Sequence, residues 1–103
     1  MTKNELRNGM LAQDRHGDWY MVIKDTKEYQ GYRDFFVDIA SGDFVAIDTC
    51  TSDLRDIDGR AEFDIVKVAE CDYVGNTIRG IKSDIDPEEF DGFKVIWDRE
   101  EIR

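Results

Sequence analysis

Acidic side chains are the residues of this chain whose types and spacing could do chemistry. The stretch DLRDIDGRAEFD, residues 53–64, places five acids and one glycine within twelve positions. A second stretch, SDIDPEEFDG at residues 83–92, carries five acids and no base. Carboxylates at such density can bind a divalent cation, serve as general acid and base, or meet the cationic groups of a basic partner.

Calcium binding is the first of these functions, and it requires a defined spacing of the ligands. An EF-hand loop has oxygen ligands at its first positions, a glycine at position 6 and a bidentate glutamate at position 12. With Gly59 at position 6, Leu54 and Ile65 occupy the two anchoring positions, so both ligands are missing. With Gly92 at position 6, Pro87 falls at position 1. The alternatives left open for the first stretch are solvated carboxylates and a weak divalent site between Asp56, Asp58 and Glu62.

The other reactive residue types do not form a recognisable catalytic or metal-binding set. The chain has one histidine, His16, and two distant cysteines, Cys50 and Cys71, which is not the spacing of a zinc or other transition-metal site. His16 has no visible nucleophile as a partner for general-base chemistry. The segment GNTIRG, residues 75–80, lacks the lysine of a phosphate-binding loop. We therefore expect a protein that is not an enzyme and that uses no cofactor or metal.

The charge balance indicates which partners the chain favours. Twenty-four acids oppose fourteen bases, which gives a net charge of −10. A field of this sign repels phosphate backbones and anionic lipid headgroups, so direct binding to nucleic acid or membrane is disfavoured. It attracts basic proteins, although solubility alone also explains many acidic domains. The sequence begins with neither a signal peptide nor a transit peptide, and a cytoplasmic location is expected.

Short apolar runs separated by glycine-bearing turns predict a mainly β fold in a single domain, residues 1–103. We expect about five to six short antiparallel strands arranged as a small SH3-like barrel, with helical turns at residues 2–8 and 86–90. Residues 71–83, which contain two glycines and little periodicity, are interpreted as a loop. The predicted strands are residues 10–15, 19–24, 34–40, 44–48, 63–70 and 93–100.

Five short motifs, in their order along the chain, carry a resemblance. They are LRNGM at 6–10, DRHGDWYMVI at 14–23, SDL at 52–54, FDIVKV at 63–68 and IWDRE at 96–100. Together they resemble a group of small, mostly uncharacterised proteins of phages and prophages of Gram-positive bacteria. The resemblance implies the SH3-like barrel and a location in the cytoplasm of a bacterial host, and it brings no catalytic motif. Residues 71–90 fit its pattern poorly.

Acidity and the phage-like pattern together suggest an inhibitor that imitates nucleic acid. Arginine and lysine bind carboxylates in the geometry that they use for phosphate, so a row of acids can occupy a basic groove. We expect such a surface to bind a nuclease or another DNA-handling protein, as anti-CRISPR proteins do. The alternatives are a phage structural or host-takeover module without mimicry and a small carboxylate-dependent hydrolase. The expected contacts are a first acidic cluster (Asp53, Asp56, Asp58 and Glu62) and a second acidic cluster (Asp84, Asp86, Glu88, Glu89 and Asp91), forming one continuous face.

Overall fold

Short, largely apolar strands build a six-stranded antiparallel sheet in the computed structural model, which describes residues 1–100. One α-helix, α1 (Val74–Lys82), and four short 3-10 turns complete the elements of these residues. The strands are β1 (Leu11–Asp14), β2 (Trp19–Ile23), β3 (Phe35–Asp38), β4 (Phe44–Ala46), β5 (Ile65–Cys71) and β6 (Phe93–Asp98). The 3-10 turns are Lys3–Glu5, Ile47–Thr49, Ala61–Phe63 and Pro87–Glu89.

The prediction of a mainly β fold with about six antiparallel strands is confirmed. The strands lie in the order β4-β3-β2-β1-β5-β6, and every neighbouring pair is antiparallel. Within residues 1–100 the sheet is open, because β4 and β6 lie at its two ends and each pairs with a single neighbouring strand. The six strands therefore do not close into the barrel that we expected.

The sheet separates two hydrophobic cores. Successive side chains of a strand point to opposite faces. Leu11 accordingly packs with Trp19 and Ile39 on one side, and Ala12 packs with Val22 and other residues on the opposite side. We call the Leu11 side the helix face, because α1 covers it, and the Ala12 side the loop face, because the segment from residue 47 to residue 64 covers it.

The interpretation of residues 71–83 as a loop is wrong, because the segment contains α1. Its apolar residues Val74, Ile78 and Ile81 follow a helical repeat, and the two isoleucines pack on the helix-face core. Gly80, which argued against a helix, lies under the ring of Phe90: a Cβ atom there would be 2.1 Å from Phe90 Cζ. The glycine is thus explained by a close contact with a distant residue. No helix in residues 1–100 has the length and apolar character needed to cross a bilayer.

The helical turn expected near residues 86–90 is present as a 3-10 turn, Pro87–Glu89. The side chain of Asp86 accepts a 3.0 Å hydrogen bond from the backbone N–H of Glu88, as an N-cap residue does. Near the start of the chain, the backbone N–H of Thr2 donates a 2.9 Å hydrogen bond to Glu5 Oε1. The helical turn expected at 2–8 is confirmed in the shorter form Lys3–Glu5.

Candidate functional site

The two acidic clusters lie on opposite faces of the sheet. The first belongs to the segment that covers the loop face, where Leu54 is part of the core. The second follows α1 on the helix face, where Glu88 forms an ion pair with Lys67 of β5, at 3.4 Å between Nζ and Oε1. Lys67 is paired across the sheet with Gln13, which has the same orientation as Leu11. The clusters therefore do not form the single continuous surface that we expected.

Asp56, in the first cluster, is a structural residue. It is 8% exposed, and its carboxylate accepts hydrogen bonds from the backbone N–H groups of Asp58 and Arg60, at 3.2 and 3.1 Å. The Arg60 side chain adds a third hydrogen bond, from Nε at 3.1 Å, and lowers the pKa of the carboxyl group below its ordinary value. These contacts close the turn that holds residues 56–60 against the loop face.

The other acids of the first cluster are engaged within the same segment or are isolated. Asp53 pairs with Arg55 at 3.0 Å, and hydrogen bonds from Thr51 and Arg55 lower its pKa. The carboxylate of Asp58 lies 3.5 Å from the guanidinium of Arg60. Glu62 is exposed. Three of the four acids are thus engaged by the two local arginines, which reduces the net charge of the cluster from −4 to −2.

Asp64 was not expected to have a role, yet it anchors the same segment to the sheet. It is 5% exposed and accepts a 2.8 Å hydrogen bond from the backbone N–H of Asp56. Its second carboxylate oxygen lies 3.1 Å from Nη1 of Arg15. Because a buried carboxylate is stable only when it is paired, Asp64 and Arg15 form a unit that fixes the loop in place.

Three acids of the second cluster, Asp84, Asp86 and Glu88, line a cavity of about 430 Å³ on the helix face. Asp18, from the turn between β1 and β2, contributes a fourth carboxylate to the same cavity, and Lys67 contributes its ammonium group. We call this site the acidic groove. Its apolar walls are Trp19, Ala40, Ile81, Ile85 and Pro87.

The end of α1 sets the positions of the groove acids. The backbone N–H of Ile85 donates a 2.9 Å hydrogen bond to Gly80 O, and Asp84 has a φ of 61°, the left-handed conformation that reverses the chain after a helix. The Asp86 cap then fixes the direction of the turn that contains Glu88. The two remaining acids of the cluster, Glu89 and Asp91, are exposed and do not line the groove.

The turn that carries Asp18 is held by a buried carboxylate. Asp14 Oδ1 accepts 3.0 Å hydrogen bonds from the N–H groups of Gly17 and Asp18, and its Oδ2 accepts a 2.8 Å bond from the Tyr20 hydroxyl. Desolvation raises the pKa of Asp14. Ligand atoms of Asp14, His16 and Asp18 lie within 4.8 Å of one another, as in a metal site. Both oxygens of Asp14 are already used by the turn, so the group is explained by structure.

The chemistry available in the acidic groove is the acceptance of charge-assisted hydrogen bonds. Four carboxylates and one ammonium group surround an opening with apolar walls. Two of these residues, Asp18 and Lys67, were missed from the sequence. The signal for Lys67 was a lone cation inside the apolar strand IVKVAEC, and the signal for Asp18 was its place in a tight turn.

The chain was also compared with known proteins. Neither the protein-family models, nor the curated proteins, nor the solved structures contain a match to it. The resemblance to small phage proteins therefore rests on the order of the five motifs and stays a prediction.

Proposed function

We propose that this protein is a non-enzymatic binding protein whose acidic groove receives lysine and arginine side chains of a basic partner protein. The observation that carries the proposal is the convergence of Asp18, Asp84, Asp86 and Glu88 on one cavity. These acids come from two separate parts of the chain, and among residues 1–100 Lys67 is the one base that lines the groove.

The walls of the groove match the form of a cationic side chain. Lysine and arginine have an apolar stem and a charged head, and they place the stem on apolar surface while the head reaches polar groups. Trp19, Ile81 and Ile85 supply such surface beside the carboxylates. A basic side chain that enters the groove would therefore place its stem on the apolar walls and its charged head beside the carboxylates.

The partner that we favour is a protein that handles nucleic acid, with the present protein blocking its basic groove. Arginine residues that bind phosphate also bind carboxylates in bidentate geometry. The net charge of −10 attracts such a groove over a distance and repels the nucleic acid that competes for it. The resemblance to phage proteins supports a defence nuclease of the bacterial host as the target.

An interaction module without mimicry is a second candidate, and an exposed aromatic surface favours it. Tyr29, Tyr32 and Phe44 are 52%, 43% and 51% exposed. A complex held by such apolar contacts would depend weakly on salt, whereas binding through the groove should weaken steeply as salt rises.

Two charge-matched variants test the proposal. The groove variant combines Asp84→Asn, Asp86→Asn and Glu88→Gln, in which asparagine retains the capping ability of Asp86. The control variant combines Asp53→Asn, Asp58→Asn and Glu62→Gln and removes the same charge from the loop face. Each protein is immobilised and exposed to a bacterial lysate, and the retained proteins are then challenged with duplex DNA.

The wild type and the control variant should retain the same basic nucleic-acid-binding proteins, and duplex DNA should release them. The groove variant should not retain them. Equal retention by all three proteins would refute the role of the groove, and retention that DNA does not affect would refute mimicry.

A further inference from the structure

The edge strand β4 has backbone groups that point away from the sheet, toward the position that a further strand would occupy. The backbone N–H of Asp38 donates a 2.7 Å hydrogen bond to Asp43 O, and the N–H of Ile47 donates a 2.9 Å bond to Asp34 O, so residues 43 and 47 face β3. Backbone groups alternate in direction along a strand. The N–H and C=O of Val45 therefore also point to β3, and those of Phe44 and Ala46 point away from the sheet. The Thr49 hydroxyl donates a 2.7 Å bond to Ala46 O, which leaves that oxygen a second lone pair.

The two edges of the sheet differ in how they are protected. Proteins commonly protect an edge strand with charged side chains, which disfavour pairing with another chain. The edge strand β6 carries Lys94 and Asp98. In contrast, β4 is a short strand without charged residues, in which Phe44 and Val45 are 51% and 48% exposed and Ala46 is 8% exposed. An apolar, half-exposed edge of this kind is a feature of strands that pair with a partner.

On the helix face, β4 is bordered by an aromatic shelf made of Tyr29, Tyr32, Phe35 and Phe44. The ring of Phe44 packs edge-on against Phe35 at 5.4 Å and against Tyr29 at 5.6 Å between centroids. A cavity of about 210 Å³ opens between these rings, Val45 and Thr49. The shelf is thus a preformed surface for apolar side chains beside the outward-pointing backbone groups of β4.

On the loop face, the same strand borders a second cavity, of about 240 Å³. Val45 and Thr49 line this cavity as well as the first, so the two cavities meet at β4. The further walls of this second cavity are Tyr20, Phe36, Cys50, Asp56, Arg60, Phe63 and Ile65. Its volume is below the range of typical drug-sized sites and suits a single side chain.

We propose that β4 is a docking edge, to which an extended segment of a partner protein adds as a further strand. The segment has consecutive apolar residues at its centre and lysine or arginine at its ends. Side chains of an added strand alternate between the faces, so some would lie on the aromatic shelf and others in the Val45 cavity. Main-chain hydrogen bonds would supply affinity, and the two cavities would supply selectivity.

Charge selects a basic segment over a second copy of this chain. Asp43 and Asp48 bracket β4, and the Asp48 side chain is 69% exposed although Lys3 lies 3.4 Å away. In an antiparallel pairing of two copies about Val45, each Asp48 would lie beside the Asp43 of the other copy. Two chains of charge −10 would repel each other at this contact. The cationic ends of a partner segment would instead pair with Asp43 and Asp48.

The probe is the peptide acetyl-Lys-Thr-Phe-Val-Phe-Thr-Lys-amide, with binding measured by calorimetric titration and backbone protection by amide exchange. Its two phenylalanines would lie across from Phe44 and Ala46, with their N–H groups pointing to β4. We expect saturable binding that slows exchange at the amides of Phe44 and Ala46. A peptide methylated at both phenylalanine nitrogens should not bind, because it cannot donate those hydrogen bonds.

Protein variants locate the binding. Val45→Lys places a charge on the edge, a change that edge strands tolerate, and should weaken peptide binding by roughly tenfold or more. Tyr73→Lys is the matched control, because Tyr73 is also exposed, at 61%, and lies outside β4. This substitution should change the affinity for the peptide by less than about twofold. Binding of an oligoarginine peptide in the acidic groove should survive Val45→Lys, which separates this proposal from the function proposed above.

Three results would overturn the proposal. They are equal binding of the methylated peptide, equal effects of the two lysine substitutions, and dimerisation of the wild type in sedimentation that Val45→Lys abolishes. The last result would assign the edge to a second copy of the chain.

Discussion

Nζ of Lys67 lies 3.4 Å from Oε1 of Glu88, and this ion pair connects β5 to the 3-10 turn that follows α1. The side chains are 27% and 45% exposed, so the pair is accessible to solvent and to a ligand. Lys67 is the cation of the acidic groove and competes with any incoming lysine or arginine for Glu88. The ion pair therefore makes the groove less negative than its four acids alone would.

Lys67→Gln should strengthen the binding of basic peptides. Removing the competing ammonium group should raise the affinity for an oligoarginine peptide by about two- to fivefold, since an exposed ion pair contributes about 0.5–1 kcal/mol. Calorimetric titration at low and high salt measures the change, with Lys94→Gln on β6 as a control that removes the same charge outside the groove. An unchanged affinity would mean that the peptide does not bind in the groove.

Two helix glycines should respond in opposite ways to alanine. Gly75→Ala meets no atom within 4 Å and should stabilise the protein by about 0.5–1 kcal/mol, because alanine favours the helix. Gly80→Ala should destabilise it by about 1–3 kcal/mol, because the new Cβ would displace Phe90. Urea unfolding of both variants measures these changes. If both variants gained stability, Phe90 would not pack on α1 as described.

Asp56 should matter for stability, and Asp58 should not. Asp56→Ala removes the acceptor for two backbone N–H groups and for Arg60, and should cost about 2–3 kcal/mol. Asp58→Ala breaks only an exposed contact with Arg60 and should change stability by less than about 0.5 kcal/mol. Similar unfolding midpoints for the two variants would contradict the structural role of Asp56.

The effect of Asp56 should also depend on pH. Its pKa is lowered in the folded protein relative to the ordinary value of 3.8, so its contribution is present above that value and is lost as pH falls through the folded pKa. We expect the stability difference between the wild type and Asp56→Asn to shrink as the solution is acidified into this range. Thermal unfolding across acidic pH provides the measurement, and a constant difference would contradict it.

Asp14 should show the opposite dependence on pH. Burial raises its pKa above 3.8 in the folded protein, so its contribution is complete below that value and declines as pH rises through the raised pKa. Relative to Asp14→Asn, the wild type should therefore lose stability over this interval. At neutral pH, Asp14→Ala should cost about 2–3 kcal/mol, because the Tyr20 hydroxyl and two backbone N–H groups lose their acceptor. A wild type that gained stability over the interval would contradict the raised pKa.

Local sequence patterns were sufficient to predict the strands. Short apolar runs separated by glycine-bearing turns predicted all six of them, and Asp86 followed by Pro87 predicted the helical turn at its correct place. The helix α1 was missed because Gly80 lowers helix propensity, and only a contact with Phe90, ten residues away, explains the glycine. The open sheet was missed because strand patterns do not reveal whether the first and last strands of a sheet meet.

The candidate site was predictable in composition but not in arrangement. The acids from residue 84 to residue 88 were identified from their density alone. The first cluster was overestimated, although Arg60 stands four residues after Asp56 and signalled the pairing that the structure shows. Asp18 and Lys67 join the groove through the pairing of β1 with β2 and β5, which is a long-range property of the sheet.

The most direct test of the proposed function is the site at which a basic peptide binds. Heteronuclear NMR of the wild type, titrated with an oligoarginine peptide, follows every backbone amide at once. We expect saturable shift changes at the amides of residues 84–86, of Glu88 and of Asp18, and little change at residues 53–62. Changes centred on residues 53–62, or weak changes spread over all exposed acids, would contradict a binding site in the acidic groove.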